Sequence, residues 1–202
     1  PDGPRVKRAA PGGAGPMLNP FSRSAMTHYL VRFTDAFERY AGPRPRAMYH
    51  DSYEYNSSWT PGLLTEFARR RGYRLEDRWP DFCRDPRTDE RAARVRCDYQ
   101  ETLSDLMVEG VIPEWIQWCR SRNIRTRYQA HGSPANLLDL YALADIPETE
   151  MFGRGTRDPL RSGFDERFAE GDREPLISKF ASSAAHAAGR RLVAAETGTW
   201  LA

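Results

Sequence analysis

The sequence predicts an α/β protein built on a parallel sheet. Two observations carry this expectation. Short apolar runs alternate with longer stretches of helical periodicity, the pattern of successive strand–helix units. The strand candidates end near residues 51, 130, 149 and 196, and each lies between helices. A barrel and an open doubly wound sheet both fit this pattern. No phosphate-cradling glycine motif follows any strand, which counts against a dinucleotide fold.

The elements follow in order. Val6 to Ala10 can end a strand, and Pro11, Gly12, Gly13, Gly15 and Pro16 then form a loop. Ser22 can cap a helix whose apolar face is Met26, Tyr29, Leu30, Phe33, Phe37 and Tyr40; Gly42, Pro43 and Pro45 stop it. Ala47 to His50 reads as a strand leading into Asp51-Ser52-Tyr53-Glu54-Tyr55. Thr60 can cap a helix with Pro61 at its first position, Leu63, Leu64 and Phe67 facing inward, and Gly72 at its end. Residues from about Thr88 to Asn123 read as helical, with Val95, Tyr99, Leu103, Leu106 and Met107 as one stripe and Pro113 as a kink or restart. Ile124 to Ala130 is a strand, Ser133 and Pro134 open a further helix, and Ala144 to Thr149 is a weaker strand candidate. Residues 153–175 form a polar, Gly-, Arg- and Asp-rich surface insertion. Phe180 to Ala188 is helical, and Arg191 to Ala195 is a strand ending at Glu196.

Composition limits the function classes. Thirty Lys and Arg against 28 Asp and Glu give a net charge of +2, without the strongly basic face that nucleic acid favours. The run Arg69-Arg70-Arg71 reads as a solvated helix end, favourable beside the C-terminal dipole. Three widely spaced cysteines argue against a disulfide scaffold and a zinc site, and Cys119 among Trp115, Ile116 and Trp118 reads as a buried thiol. No apolar stretch reaches the ~20 residues of a membrane span. At 202 residues the chain can form a core but falls short of the roughly 250 of a complete (β/α)8 barrel. Its two ends suggest an internal piece of a longer protein.

The strand ends carry an unusual set of residues. The first gives His50, Asp51, Glu54, Asn56 and Trp59; the second Arg127, Gln129 and His131; the third Glu148 and Glu150; the fourth Glu196 and Thr197. In a barrel, catalytic groups come from the C-terminal ends of strands. Glycoside hydrolysis needs two carboxylates there, one kept protonated for the leaving oxygen and one ionised to activate water or attack the sugar. A third acid has room to bind a cation or a sugar hydroxyl. The aromatic residues Tyr53, Tyr55, Trp59, Phe152 and Trp200 suit the apolar faces of sugars. Each of these residues also has a structural reading. A Glu after a strand commonly caps a helix or pairs with a cation, His50 and His131 can bond loop backbone, and Trp59 can staple a helix start. Ser52 and Ser133 lack the glycine-flanked elbow of a nucleophilic serine.

The ordered segments Val6 to Gly12, His50 to Glu54, Trp59-Thr60, Phe67 to Tyr73, Gln129 to Gly132, Ile146 to Glu150 and Ala184 to Glu196 resemble glycoside hydrolase family 106, and the resemblance covers nearly the whole chain. It implies that residues 1–202 are part of one catalytic (β/α)8 TIM-type barrel, from about strand three to strand seven. The rest of the barrel and accessory β-domains would complete it. It implies inverting hydrolysis of α-L-rhamnosides in plant or bacterial glycans, with Glu54 as general acid and Glu196 as general base. Glu54 would be kept neutral by a poorly solvated pocket. It further implies a calcium ion held through Glu150 or, less favoured, Glu148. His50, Asp51, Asn56, Trp59, Gln129 and His131 would contact the sugar. A secreted or periplasmic location suits such a substrate better than a cytoplasmic one. Two other readings share these residues: a retaining glycosidase with Glu196 as nucleophile, and a non-catalytic carbohydrate-binding protein.

Overall fold

The computed structural model describes residues 4–7, 9–151 and 175–197. The chain divides into two compact units, one of Pro1–Gly42 and Tyr55–Trp115, the other of Pro43–Glu54 and Ile116–Ala202. Among the described residues no helix is long and apolar enough to cross a membrane.

The first unit is helical. The described residues of the Val6 to Ala10 stretch belong to no sheet strand. Pro4 and Pro11, which lack a ladder N–H, flank it, and beside it lie the isolated antiparallel bridge of Arg5 with Pro16 and a bond from Val6 N–H to the Gly15 carbonyl at 3.1 Å. Helix α1 spans Arg23–Arg39, and the Ser22 side chain accepts from the Ala25 N–H at 3.2 Å. Its apolar face is narrower than the periodicity suggests. Met26 and Leu30 are buried, whereas Tyr29 and Tyr40 are exposed. Helix α2 spans Leu63–Arg71. Gly62, with φ +82°, occupies its cap position instead of Thr60. Thr60 serves through its carbonyl, which accepts from Leu63 N–H at 3.1 Å. The Pro61–Gly62 pair therefore makes a turn rather than the first helical turn. Gly72, φ +79°, closes α2 as expected.

A short helix, α3 (Trp79–Phe82), precedes α4 (Glu90–Leu106). Asp89 caps α4 through the N–H groups of Arg91 and Ala92. A π-helical turn, Met107–Val111, then leads into α5 (Ile112–Arg120). Pro113 has no N–H to give, and its ring would meet the carbonyl of Glu109 in a regular helix. The wider turn, with Ile112 N–H bonded to the Met107 carbonyl, takes up that misfit. The unit's core is Leu30, Leu63, Phe67, Leu75, Val95, Leu103 and Met107. Of the arginine run only Arg69 is a solvated helix end, with its side chain 59% exposed. The side chains of Arg70 and Arg71 are 14% and 15% exposed and reach Glu109 and Glu101, each at 2.8 Å. Apolar stems packed against the neighbouring helix and charge-assisted bonds to its carboxylates outweigh hydration here.

The second unit contains the sheet. Strands β1 (Ala47–His50), β2 (Arg125–Tyr128), β3 (Ile146–Met151) and β4 (Ala194–Thr197) run parallel in the order β1-β2-β3-β4. Helix α6 (Leu137–Leu143) joins β2 to β3. It starts at the Asn136 cap, three residues after Ser133, because the Asn136 carboxamide accepts from the N–H groups of Leu138 and Asp139. Helix α7 (Pro175–Ala187) precedes β4. The polar insertion thus falls outside the described residues, save Pro175.

Register sorts the side chains. Tyr49 pairs with Arg127, Arg127 with Ile146, Glu148 with Ala194, and Glu150 with Glu196. Because strand side chains alternate, Tyr49, Arg127, Gln129, Glu148, Glu150 and Glu196 share one face. Met48, His50, Thr126, Tyr128 and Thr149 share the other. There Tyr128 is buried and Cys119 Sγ lies 3.8 Å from Met48 Sδ. Burial pushes the Cys119 thiol up to about 12, in keeping with an inert core cysteine. Asp145 clamps β3 to β2: its Oδ2 accepts from Thr126 N–H at 3.0 Å and from the Thr126 hydroxyl at 3.1 Å.

Candidate active site

The polar face of the sheet is a connected network. Glu148, at 0% exposure, accepts from Arg127 through both carboxylate oxygens, Arg127 Nη2 at 2.8 Å from Oε1 and Arg127 Nε on Oε2. A fully buried carboxylate needs such a paired cation and hydrogen bonds to stay in place. Gln129, also 0% exposed, donates through Nε2 to Glu148 Oε1 at 3.0 Å and to Glu196 Oε2 at 2.8 Å. Tyr49 donates its hydroxyl to Asp51 Oδ1 at 3.0 Å and approaches Glu196 Oε2 at 3.5 Å. The Arg127 guanidinium sits 5.1 Å from the Tyr49 ring centroid. Burial and the Asp51 carboxylate raise the Tyr49 phenol well above its ordinary value, so it remains a donor. Glu150, buried, meets His131 Nε2 at 3.1 Å.

These contacts also fix the sheet's shape. Tyr49 and Glu196 lie on strands three spacings apart, ~14 Å in a flat sheet. Their approach requires the sheet to curl with the polar face on its concave side.

The loop after β1 is tied to the loop after β2. Gln129 N–H bonds the His50 carbonyl at 3.0 Å, and Tyr53 N–H bonds the His131 carbonyl at 3.1 Å. Gly132 makes this possible. Its φ is +80°, and a Cβ there would lie 3.2 Å from the Tyr53 carbonyl oxygen.

Of the residues the sequence singled out, the structure brings together Asp51, Gln129, His131, Glu148, Glu150 and Glu196. It places His50 on the opposite face, half-buried, its ring edge-on to Tyr128 with centroids 4.8 Å apart and its Nδ1 2.9 Å from the Asp51 carbonyl oxygen. Burial lowers the His50 pKa from its ordinary value. Glu54 lies exposed in the loop after β1, so the described residues do not bury it. Asn56 and Trp59 belong to the first unit. Asn56 N–H meets Met17 Sδ at 3.3 Å, and Trp59, 48% exposed, receives Asn19 Nδ2 on its carbonyl. Phe152 and Trp200 lie outside the described residues, as does the Thr197 side chain. Sequence reasoning gave no role to Tyr49 and left Arg127 without a partner. The signal was the alternation of Arg127, Gln129 and His131, and of Glu148 and Glu150, at every second position, which marks a polar sheet face.

The donor set does not by itself suit calcium. Arg127 already neutralises Glu148 and, with Gln129, occupies its oxygens, which leaves Glu150 beside a histidine. Calcium prefers six to eight oxygen ligands. Among the described residues no group of three or more His, Cys, Asp or Glu side chains is placed to hold a metal ion.

Comparison with known proteins gives this geometry a context. A family model described as alpha-L-rhamnosidase matches residues 2–201. The solved structure of a rhamnosidase from Novosphingobium sp. PP1Y is similar, with a TM-score of 0.73 and 26% identity. The similarity covers 96% of this chain and 19% of that one, so the chain spans under a fifth of its structural relative. No curated protein matches the sequence. With a family match running from residue 2 to residue 201, the chain belongs to glycoside hydrolase family 106, the alpha-L-rhamnosidase family.

Proposed function

We propose that the full-length protein hydrolyses α-L-rhamnosides and that the polar face of this sheet is part of its catalytic face. The family assignment supports the substrate class. The observation that carries the site is Glu196, half-buried at the end of β4 and hydrogen-bonded by the fully buried Gln129. A carboxylate in that setting is oriented and open on one side, as a general base requires. The curl of the sheet supports a barrel completed by further strands, with these residues at the C-terminal ends of its strands.

In this reading Glu196 takes a proton from water as the water oxygen bonds to the anomeric carbon. The glycosidic C–O bond breaks on the opposite sugar face, and the leaving oxygen takes the proton of Glu54. Glu54 projects from the loop that Gly132 holds against the end of β2. Its exposure fits a donor that becomes enclosed only when sugar binds. Asp51 and His131 would bond sugar hydroxyls. No step is assigned to calcium, because the described residues do not form a site for it. The anomer first released from an α-L-rhamnoside, followed by NMR, tests the stereochemistry. The β anomer is expected. Release of the α anomer would replace water activation by nucleophilic attack of Glu196.

A further inference from the structure

We infer that Gln129 is a positioning residue for Glu196, held in place by the Arg127–Glu148 ion pair, and not a sugar ligand. The inference rests on the reading of Glu196 as the base. Both Gln129 donors are directed at carboxylates, Glu148 at 3.0 Å and Glu196 at 2.8 Å, and the side chain has no exposure. No N–H remains for a sugar hydroxyl. The amide orientation follows from its neighbours. Turned over, Gln129 Oε1 would face two carboxylate oxygens, so the NH2 group must point at them. Glu148 is anchored by two bonds from Arg127, on the strand position two before Gln129. The chain of contacts therefore runs Arg127 to Glu148 to Gln129 to Glu196, across β2, β3 and β4. An uncharged donor at the end of this chain aims the Glu196 carboxylate without placing a cation on it. A guanidinium in direct contact would instead hold Glu196 ionised and weaken it as a base. The Arg127 charge is spent on Glu148, one residue removed from the reacting atoms.

The test uses full-length enzyme and an aryl α-L-rhamnoside. Gln129→Met keeps the volume and removes both donors. It should lower kcat on the order of 10–100-fold, as expected for a misaimed reacting group, while KM stays within about twofold. A raised KM with kcat unchanged would make Gln129 a sugar ligand and overturn the inference, as would no change in either. If Gln129→Met does not fold, Gln129→Asn carries the same test, since it withdraws the amide by one methylene and keeps a polar side chain. Glu196→Gln is measured alongside. Activity retained in Glu196→Gln would sink the base assignment itself. Glu196→Gln inactive with Gln129→Met unaffected would sink only the positioning role.

Discussion

Glu148 and Arg127 show how a single pair sets the character of a sheet face. Glu148 is fully buried while the Arg127 side chain stays 43% exposed, so the two mutations are unequal. Arg127→Met strands a buried carboxylate and should cost about 3 kcal/mol, read by denaturant unfolding. A loss below about 1 kcal/mol would mean that Glu148 is hydrated or protonated in place. His50 gives a pH prediction. Burial against Tyr128 lowers its folded pKa below the ordinary 6.5, so between those two values the unfolded chain binds a proton that the folded chain does not. Stability from this group is complete above about pH 6.5 and declines as pH falls below it. Melting temperatures measured from pH 7.5 to 5 should show this loss, and His50→Phe should remove that component. The acids at the strand ends were legible as residue types from sequence. Which of them pair was not, because Gln129 and Glu196 are 67 residues apart and meet only through strand register.

Helix ends and turns were partly legible. Ser22 caps α1 as its side chain promised, whereas Gly62 displaced Thr60 and Asn136 displaced Ser133. Proline placement explains both shifts. Pro61 and Pro134 favour a turn as readily as a first helical position, and the next residue able to cap or to adopt a left-handed φ decides. Asn136→Ala should therefore cost about 1 kcal/mol of stability, while Ser133→Ala should cost less. Equal costs would contradict the cap assignment. The π-helical turn before Pro113 was not legible, since a kink and a widened turn resolve the same clash. Gly132 combines a left-handed φ of +80° with a close backbone neighbour, the Tyr53 carbonyl oxygen. Gly132→Ala should cost about 1–2 kcal/mol and should also lower turnover, because it pushes on the Tyr53 carbonyl in the loop that carries Glu54. A stability loss with full turnover would show that the loop is not held by this contact.

At the scale of the molecule, the sequence pattern specified parallel strand–helix units but left barrel and open sheet undivided. The structure adds a curl that brings residues of β1 and β4 together, and the concave face holds the carboxylates of the sheet, Glu148, Glu150 and Glu196. Parallel sheets are ordinarily apolar on both faces. A face built from Tyr49, Arg127, Gln129, Glu148, Glu150 and Glu196 departs from that rule in the way functional sites do. Its meaning depends on Glu196, and the most direct measurement is kcat for α-L-rhamnoside hydrolysis by full-length Glu196→Gln enzyme with its melting temperature recorded. A loss of at least about 100-fold is expected, typical of removing a general base, with the melting temperature preserved. Turnover near that of the unmodified enzyme would contradict it and would leave the polar face a structural network.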